Sequence, residues 1–481
     1  MGKSVQTAGD LIHFVDSPQE VSWDVETDVL IIGGGGCGLI AALAAAEKGA
    51  NVFLVEKEKA AGGNTSLSQA MVPAAGSSFQ KEAGIEDSTE RMAEDILKKN
   101  KQGSDPDLTR HVAAESCKLV EWLDRNMKIR LELVTDFIYP GHSRLRIHAN
   151  KTRKGAHLVN DLLQAAGRYD HIDIAYKAPA KRLVADRNTG AVLGAEVEIE
   201  GVGRNLAKAR KTILALNGFG ANRDMLAKYI PEMKEAYYFG HEGNTGEGIL
   251  WGEALGAELQ NMGAYQAHGS VAHPHGTLLT FATISFGGYH VNLHGKRFVN
   301  EYHGYSEHAL DVLAQEQGVA ISVFDERCYQ AVLGFEDFQQ CIRMGAIKKF
   351  DHIRDLAKAF RVPEAEMEKT HDAFQKAALG ELPDPLGRKD FNGPLTPPLY
   401  GVKVTGALFH TQGGLKINKK TQVLRKDGSV IPNLYAGGGT ASGFSGKAGP
   451  AGYLSANGLL AALVLGKIAG EKAAEAALAE R

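Results

Sequence analysis

The sequence predicts an α/β fold that opens on a βαβ unit. Asp28–Ile32 (Asp-Val-Leu-Ile-Ile) ends in four consecutive apolar residues, as a buried strand requires. Gly33-Gly34-Gly35-Gly36-Cys37-Gly38 follows at once. Leu39–Lys48 is then Ala-rich with helical period, and Asn51–Glu56 reads as a second buried strand.

The later elements follow in order. Leu108–Met127 places Leu108, Val112, Leu119, Val120 and Leu123 on one side of a helix. From Ile172 to Leu216 the pattern is that of strands, with a turn at Asn188-Thr189-Gly190. Residues 268–405 are richer in His, Phe and Tyr and mix helical with irregular stretches. Asn433–Ala436 is a short strand, a glycine-dense stretch follows, and Asn457–Ala477 is a long Ala-rich helix.

Composition narrows the class. A chain of 481 residues that is 44% hydrophobic and 23% charged is an ordinary folded globular protein. Its net charge of -3 gives no global pull toward nucleic acid or anionic membrane. Cys37, Cys117, Cys328 and Cys341 are scattered without a CxxC pair, so no zinc site or disulfide framework is expected. Residues 1–21 lack the basic-then-apolar pattern of a secretory signal, and no apolar run nears the roughly 20 residues of a membrane span. A cytoplasmic protein with no membrane span is the expectation. Glycine is the outlier: 56 of 481 residues, about 12% against an average near 7%. Such a surplus means linkers, many tight turns, or backbone drawn close to a large ligand.

The first glycine cluster favours the ligand. Gly33, Gly35 and Gly38 fit G-x-G-x-x-G between strand and helix, and Glu56 ends the second strand. Gly33 permits the tight turn, Gly35 lets backbone approach a pyrophosphate, and Gly38 lets helix pack on strand. The helix N-terminus favours phosphate, and Glu56 can accept from a ribose hydroxyl. Dinucleotide binding is the reading.

Three further segments extend it: Ala61-Gly62-Gly63-Asn64-Thr65-Ser66-Leu67-Ser68, Leu214-Ala215-Leu216-Asn217-Gly218-Phe219-Gly220 and Leu434-Tyr435-Ala436-Gly437-Gly438-Gly439. In order, over nearly the whole chain, they resemble the cofactor segments of the FAD-dependent fumarate reductase and 3-ketosteroid dehydrogenase superfamily. The resemblance implies a Rossmann-like FAD-binding domain split by an inserted α+β capping domain, with the active site at their junction. The implied parts are 1–267 (FAD-binding, first part), 268–405 (cap) and 406–481 (FAD-binding, second part). Implied cofactor contacts are Gly33, Gly35, Gly36, Gly38, Glu56, Gly63, Asn64, Thr65, Ser66, Asn217, Gly218, Gly438, Gly439, Ser455 and Asn457. Gly439 stands where relatives often carry an acid for the flavin's sugar-alcohol chain. Covalent relatives carry a His in the segment that here reads Asn64-Thr65-Ser66, so the implied FAD is noncovalent.

Four segments resemble the catalytic set of the soluble fumarate reductases. Tyr265-Gln266-Ala267-His268 and Leu408-Phe409-His410-Thr411-Gln412-Gly413-Gly414 carry the two substrate histidines, His268 and His410. The two arginines of that branch are absent; the matching positions hold Tyr305 and Tyr453. A tyrosine cannot clamp a carboxylate as a guanidinium fork does. It can donate to a ketone oxygen or, once ionised, accept an α-proton. Glu301-Tyr302-His303-Gly304-Tyr305 and Gly452-Tyr453-Leu454-Ser455 resemble the tyrosine segments of the 3-ketosteroid dehydrogenases, the second those of the Δ4-(5α) branch.

The implied reaction is α,β-desaturation of a ketone. Tyr453, with a backbone N–H near Gly458, binds the carbonyl oxygen. Tyr305, assisted by Ser455, removes the α-proton, and a hydride passes from the β-carbon to flavin N5. The helix from Asn457 aims its positive end at the flavin. Tyr139, in Phe137-Ile138-Tyr139-Pro140, is a candidate pocket residue. Retention of both histidines points to a second polar group on a cyclic ketone substrate, as in an oxocyclohexanecarboxylate. The electron acceptor, whether oxygen, a quinone or another carrier, is left open. His273 and His275 lack an acid or Cys partner nearby, so no metal is expected. Two alternatives stand: an enoate reductase of the fumarate reductase kind, and a flavin redox sensor or carrier that is not an enzyme.

Overall fold

The computed structural model describes residues 8–136, 138–139 and 141–481. Residues 1–7, and Phe137 and Pro140 beside Tyr139, lie outside the described residues. The chain divides into two compact units: Met1–Ile230 with Gly240–Tyr265 and His410–Arg481, and Pro231–Phe239 with Gln266–Phe409.

The first unit is built on the predicted βαβ. Val25–Ile32 pairs in parallel with Val52–Val55, at register Val29↔Val52 and Ile32↔Val55. Val52–Val55 pairs in turn with Ile172–Ala175. On the other side, Gly203–Leu214 pairs in parallel with Val25–Ile32. That strand is 12 residues long and serves two partners on its far edge. Its start runs antiparallel to Val192–Ile199, and Thr212–Leu214 runs parallel to Val430–Ala436. Among the described residues nine strands form this sheet. The central strands are continuous apolar runs because helices cover the sheet.

Two helices pack backbone to backbone against each other. Gly36–Glu47 is buried from Gly36 to Ala46, which its lack of a polar face requires. Asn457–Leu478 crosses it at Gly466 and Gly470, one turn apart. A Cβ at Gly466 would lie 2.5 Å from the Cys37 carbonyl oxygen, and one at Gly470 would lie 2.2 Å from that of Ala41. Only glycine permits this approach, so part of the glycine surplus serves packing rather than ligand.

The second unit holds more sheet than its sequence predicts. Strands Thr277–Leu278, Gly263–Ala272, Leu399–Thr411, Val319–Asp325 and Tyr289–Val291 lie in that order, joined by Tyr237–Tyr238 and Lys348–Phe350. Val319–Asp325 is buried throughout, and such short unalternating runs do not reveal their period. Phe324 of this strand stacks on Tyr400 and Tyr400 on Tyr329, while Phe338 meets Phe324 and Tyr329 edge-on. A buried ionic knot holds the turn that follows Arg297. Arg297 binds Glu301 at 2.8 Å and Asp384 at 2.6 Å, and Arg388 reaches Glu301 at 3.4 Å. Breaking one partner would strand a buried charge, at about 3–5 kcal/mol.

Candidate functional site

The glycine turn assigns a different task to each glycine. Gly33 has φ +108°, and a Cβ there would meet the Ala215 oxygen at 2.5 Å. A Cβ on Gly38 would sit 1.9 Å from the Gly33 oxygen. These two are glycine because protein fills the space. Gly35 is not: the nearest atom to its Cβ would be the Gly62 oxygen at 3.8 Å. The room beside Gly35 fits a ligand's approach. Gly35 is also the N-cap of helix Gly36–Glu47, without a side-chain cap, so the helix start is open to an anion. Glu56 is held at the strand end, accepting from Gly34 N at 2.6 Å and Glu58 N at 2.9 Å.

The other predicted contacts surround this turn or the helix Asn457–Leu478. Thr65 Oγ accepts from Gly36 N at 3.1 Å, and Ser66 Oγ donates to the Gly63 oxygen at 2.8 Å. Gly63 leaves open space where a side chain would stand. Asn64 Oδ1 accepts from His241 N at 2.7 Å and Asn244 Nδ2 at 3.0 Å. Gly438 opens the 3-10 turn Gly438–Thr440. Gly439 lies on Asn217 and Gly218; a Cβ there would be 2.2 Å from Asn217 Oδ1, so a side chain at 439 requires the Asn217 amide to swing aside. Asn457 starts the long helix, and both of its side-chain polar atoms are buried without a partner. Such atoms are rare in folded proteins and mark a place for a bound group.

Beside that helix start, Tyr453, Gly458 and His410 come together. Gly458 N donates to the Tyr453 hydroxyl at 3.2 Å. The His410 ring stands edge-on to Tyr453, at 5.5 Å between centroids. Burial pushes the Tyr453 phenol far above its ordinary value, against the Gly458 N–H. Burial likewise pushes His410 down to about 4, so the ring is neutral. Gln412 Nε2 donates to His410 Nδ1 at 2.9 Å, while its Oε1 accepts from Ser445 Oγ at 2.8 Å. The hydrogen-bond network thus assigns the His410 proton to Nε2. Ser455 is buried one turn away, and its carbonyl oxygen faces His142 Nε2 at 3.1 Å.

His268 and Tyr305 come together in the second unit. Their rings stack at 5.1 Å, with Phe409 on His268 at 5.6 Å and Phe281 on Tyr305 at 5.6 Å. The Tyr305 turn is sewn to the strand carrying His268. Gly269 N donates to the Tyr305 backbone carbonyl oxygen at 3.1 Å, and Ala267 N to Ser306 Oγ at 2.9 Å. Ser270 N donates to His268 Nδ1 at 3.1 Å, which again leaves the proton on Nε2. Burial, helped by nearby His308, pushes His268 down to about 3. Both candidate substrate histidines are therefore neutral Nε2–H donors.

Two residues of this region carry no sequence signal. His142 is buried, and its Nε2–H can only donate to the Ser455 carbonyl, which leaves Nδ1 as a buried acceptor without a partner. Gln412 sits in the predicted histidine segment, and its contact with His410 depends on a turn that sequence does not show. Tyr139 is half-buried, with its hydroxyl 3.4 Å from Gln69 Oε1.

A parallel sheet with an open glycine turn, an acid at the next strand end and a neutral donor cluster defines a dinucleotide-dependent oxidoreductase. The chain belongs to the FAD binding domain family, whose model matches residues 28–453. It is 30% identical over 467 residues to the urocanate reductase of Eggerthella lenta, covering 95% of this chain and 76% of that protein. The open conformation of a flavocytochrome c3 fumarate reductase matches with TM-score 0.82 and 28% identity, over 95% of this chain and 79% of that one. The 3-ketosteroid-Δ4-(5α)-dehydrogenase of Rhodococcus jostii RHA1 shares the fold, with TM-score 0.74 and 24% identity over 96% and 99%. The chain is accordingly an FAD-dependent oxidoreductase acting on CH–CH groups. The open face of Gly35 and the unpartnered amide of Asn457 fit that cofactor. Among the described residues no helix is long and apolar enough to cross a membrane.

Proposed function

We propose that this chain desaturates a cyclic ketone at its α and β carbons, and that the ketone carries a second polar group such as a carboxylate. The observation that carries the reading is the buried Tyr453 hydroxyl with the Gly458 N–H beside it, where the reductase branch would place a guanidinium. A neutral phenol held far from ionisation donates to a ketone oxygen and stabilises the enolate that forms on it. Tyr305, backed by the neutral His268 ring, takes the α-proton. Ser455 assists it. The carbon–carbon double bond forms as the β-hydrogen departs with its electron pair. FAD, when bound, accepts that pair as a hydride. His268 and His410 each offer one Nε2–H to the substrate's second polar group. Gly33, Gly35, Gly36, Gly38 and Glu56 would hold the dinucleotide end. Gly63, Asn64, Thr65, Ser66, Asn217, Gly218, Gly438, Gly439 and Asn457 would line the remainder, noncovalently.

One observation favours a second reading. Neutral histidine donors at His268 and His410, and the similarity to urocanate and fumarate reductases, suit reduction of an unsaturated acid by an external electron donor. Anaerobic mixing separates the two. A saturated cyclic ketone, offered with and without a carboxylate, bleaches the oxidised flavin if desaturation is right. If only reduced enzyme reacts, and only with an unsaturated acid, the reductase reading replaces it. An oxygen or quinone couple added after bleaching identifies the class of acceptor.

A further inference from the structure

We propose that His303, His308 and Asp311 form a binding site for one zinc-class divalent cation beside the Tyr305 turn. His303 ends the 3-10 turn Glu301–His303, and His308 and Asp311 lie three residues apart on helix His308–Leu313. That spacing puts the last two on one face. His303 Nε2 is 3.2 Å from Asp311 Oδ2, and His308 Nδ1 is 3.8 Å from the same oxygen. The three atoms lie within 4.8 Å of one another. Donors about 2.0–2.1 Å from a tetrahedral ion stand roughly 3.4 Å apart, so small shifts complete the set.

The lone pairs make the case. His303 Nδ1 is bonded to the Asn300 carbonyl, which only accepts, so Nδ1 carries the hydrogen. A neutral His303 therefore turns the lone pair of Nε2 toward a carboxylate. His308 Nδ1 and Asp311 Oδ2 are buried and have no hydrogen-bond partner. On its other side, His308 Nε2 lies 2.6 Å from His290 Nδ1, the outer contact that commonly orients a ligating imidazole. With both rings neutral, the lone pairs of His303 Nε2, His308 Nδ1 and Asp311 Oδ2 converge, and a cation among them satisfies all three where a proton on His303 would satisfy Asp311 alone. Two imidazoles and one carboxylate suit zinc over calcium or magnesium. The His303 and Asp311 side chains are about a third exposed, at 32% and 34%, which gives an ion entry from solvent. The ion would tie together both ends of the segment that presents Tyr305.

The test uses the flavin-loaded full chain, freed of metal by a chelator and dialysed. Zinc chloride titrated by calorimetry is expected to bind at one ion per chain. Cobalt chloride is expected to give the intense visible bands of a four-coordinate site. Asp311→Asn and His303→Gln, both at partly exposed positions, are each expected to weaken zinc at least tenfold. Cys117→Ser, changing the half-exposed thiol outside the site, is expected to bind as the parent does. No saturable zinc uptake, or uptake unchanged in both ligand variants, overturns the proposal and leaves His303 and Asp311 as an imidazolium–carboxylate pair.

Discussion

Gly458 donates its backbone N–H into the Tyr453 hydroxyl at 3.2 Å. The contact ties the first turn of helix Asn457–Leu478 to a phenol five residues earlier. With a lone pair engaged by Gly458, the phenol keeps its own hydrogen for a substrate oxygen. Tyr453→Phe removes that hydrogen and leaves the Gly458 N–H without its acceptor. The expected outcome is a loss of kcat of about 100- to 10,000-fold with FAD still bound. Steady-state rates with flavin content measured on the same preparation check it; unchanged turnover would remove Tyr453 from the chemistry.

Gln412 acts on His410, so its removal should be read in binding rather than in the chemical step. Gln412→Leu frees the Nδ1 position and lets the ring change tautomer. KM is expected to rise by about tenfold, the worth of roughly one hydrogen bond, with kcat within a few-fold of the parent. Gln412→Glu puts a carboxylate beside Nδ1, which favours the charged ring and raises His410 above its buried value. A new inflection should then appear in the pH profile of kcat/KM. A profile identical to the parent's speaks against the contact.

How much was legible in advance depended on how local each signal was. The βαβ unit needs only a short window, and Val25–Ile32, Gly36–Glu47 and Val52–Val55 lie where Asp28–Ile32, Leu39–Lys48 and Asn51–Glu56 were expected. Helix Asn457–Leu478 likewise follows from its composition. Val319–Asp325 did not, because seven buried residues without alternation carry no period. In the site, residue types flagged His410 and Tyr453, but not what holds them. Gln412 and His142 matter through a tautomer and a carbonyl, which exist only once the chain is folded. The glycine surplus divides in the same way. Gly33 and Gly38 are required by protein packing, and Gly35 by space that protein leaves.

That division predicts opposite failures for two neighbouring substitutions. Gly38→Ala forces a Cβ to 1.9 Å from the Gly33 oxygen and should cost several kcal/mol of stability with or without FAD. Gly35→Ala meets nothing of the protein closer than 3.8 Å. It should fold with a nearly unchanged Tm as apoprotein while losing FAD affinity by tenfold or more. Thermal melts of apoprotein beside FAD titrations distinguish them. Equal loss of stability in both variants would mean that the room at Gly35 is not reserved for ligand.

The buried histidines set a stability limit on the acid side. Burial holds His142, His148 and His410 at about 4 and His268 at about 3, against an ordinary value of 6.5. The unfolded chain takes up these protons below about pH 6.5, and the folded chain does so only near pH 4 or lower. Between those limits the unfolded state binds more protons, so stability falls as pH falls. Each histidine contributes up to about 1.4 kcal/mol per pH unit, present in full above pH 6.5 and lost progressively toward pH 4. Denaturant midpoints should thus be level from pH 7 to 8 and drop steeply from pH 6 to 4.5. Replacing His148, which lies against Ser77 at 2.8 Å and outside the candidate site, with Gln should flatten that slope by about one proton. An unchanged slope in the His148→Gln variant would assign the acid loss to carboxylate protonation instead.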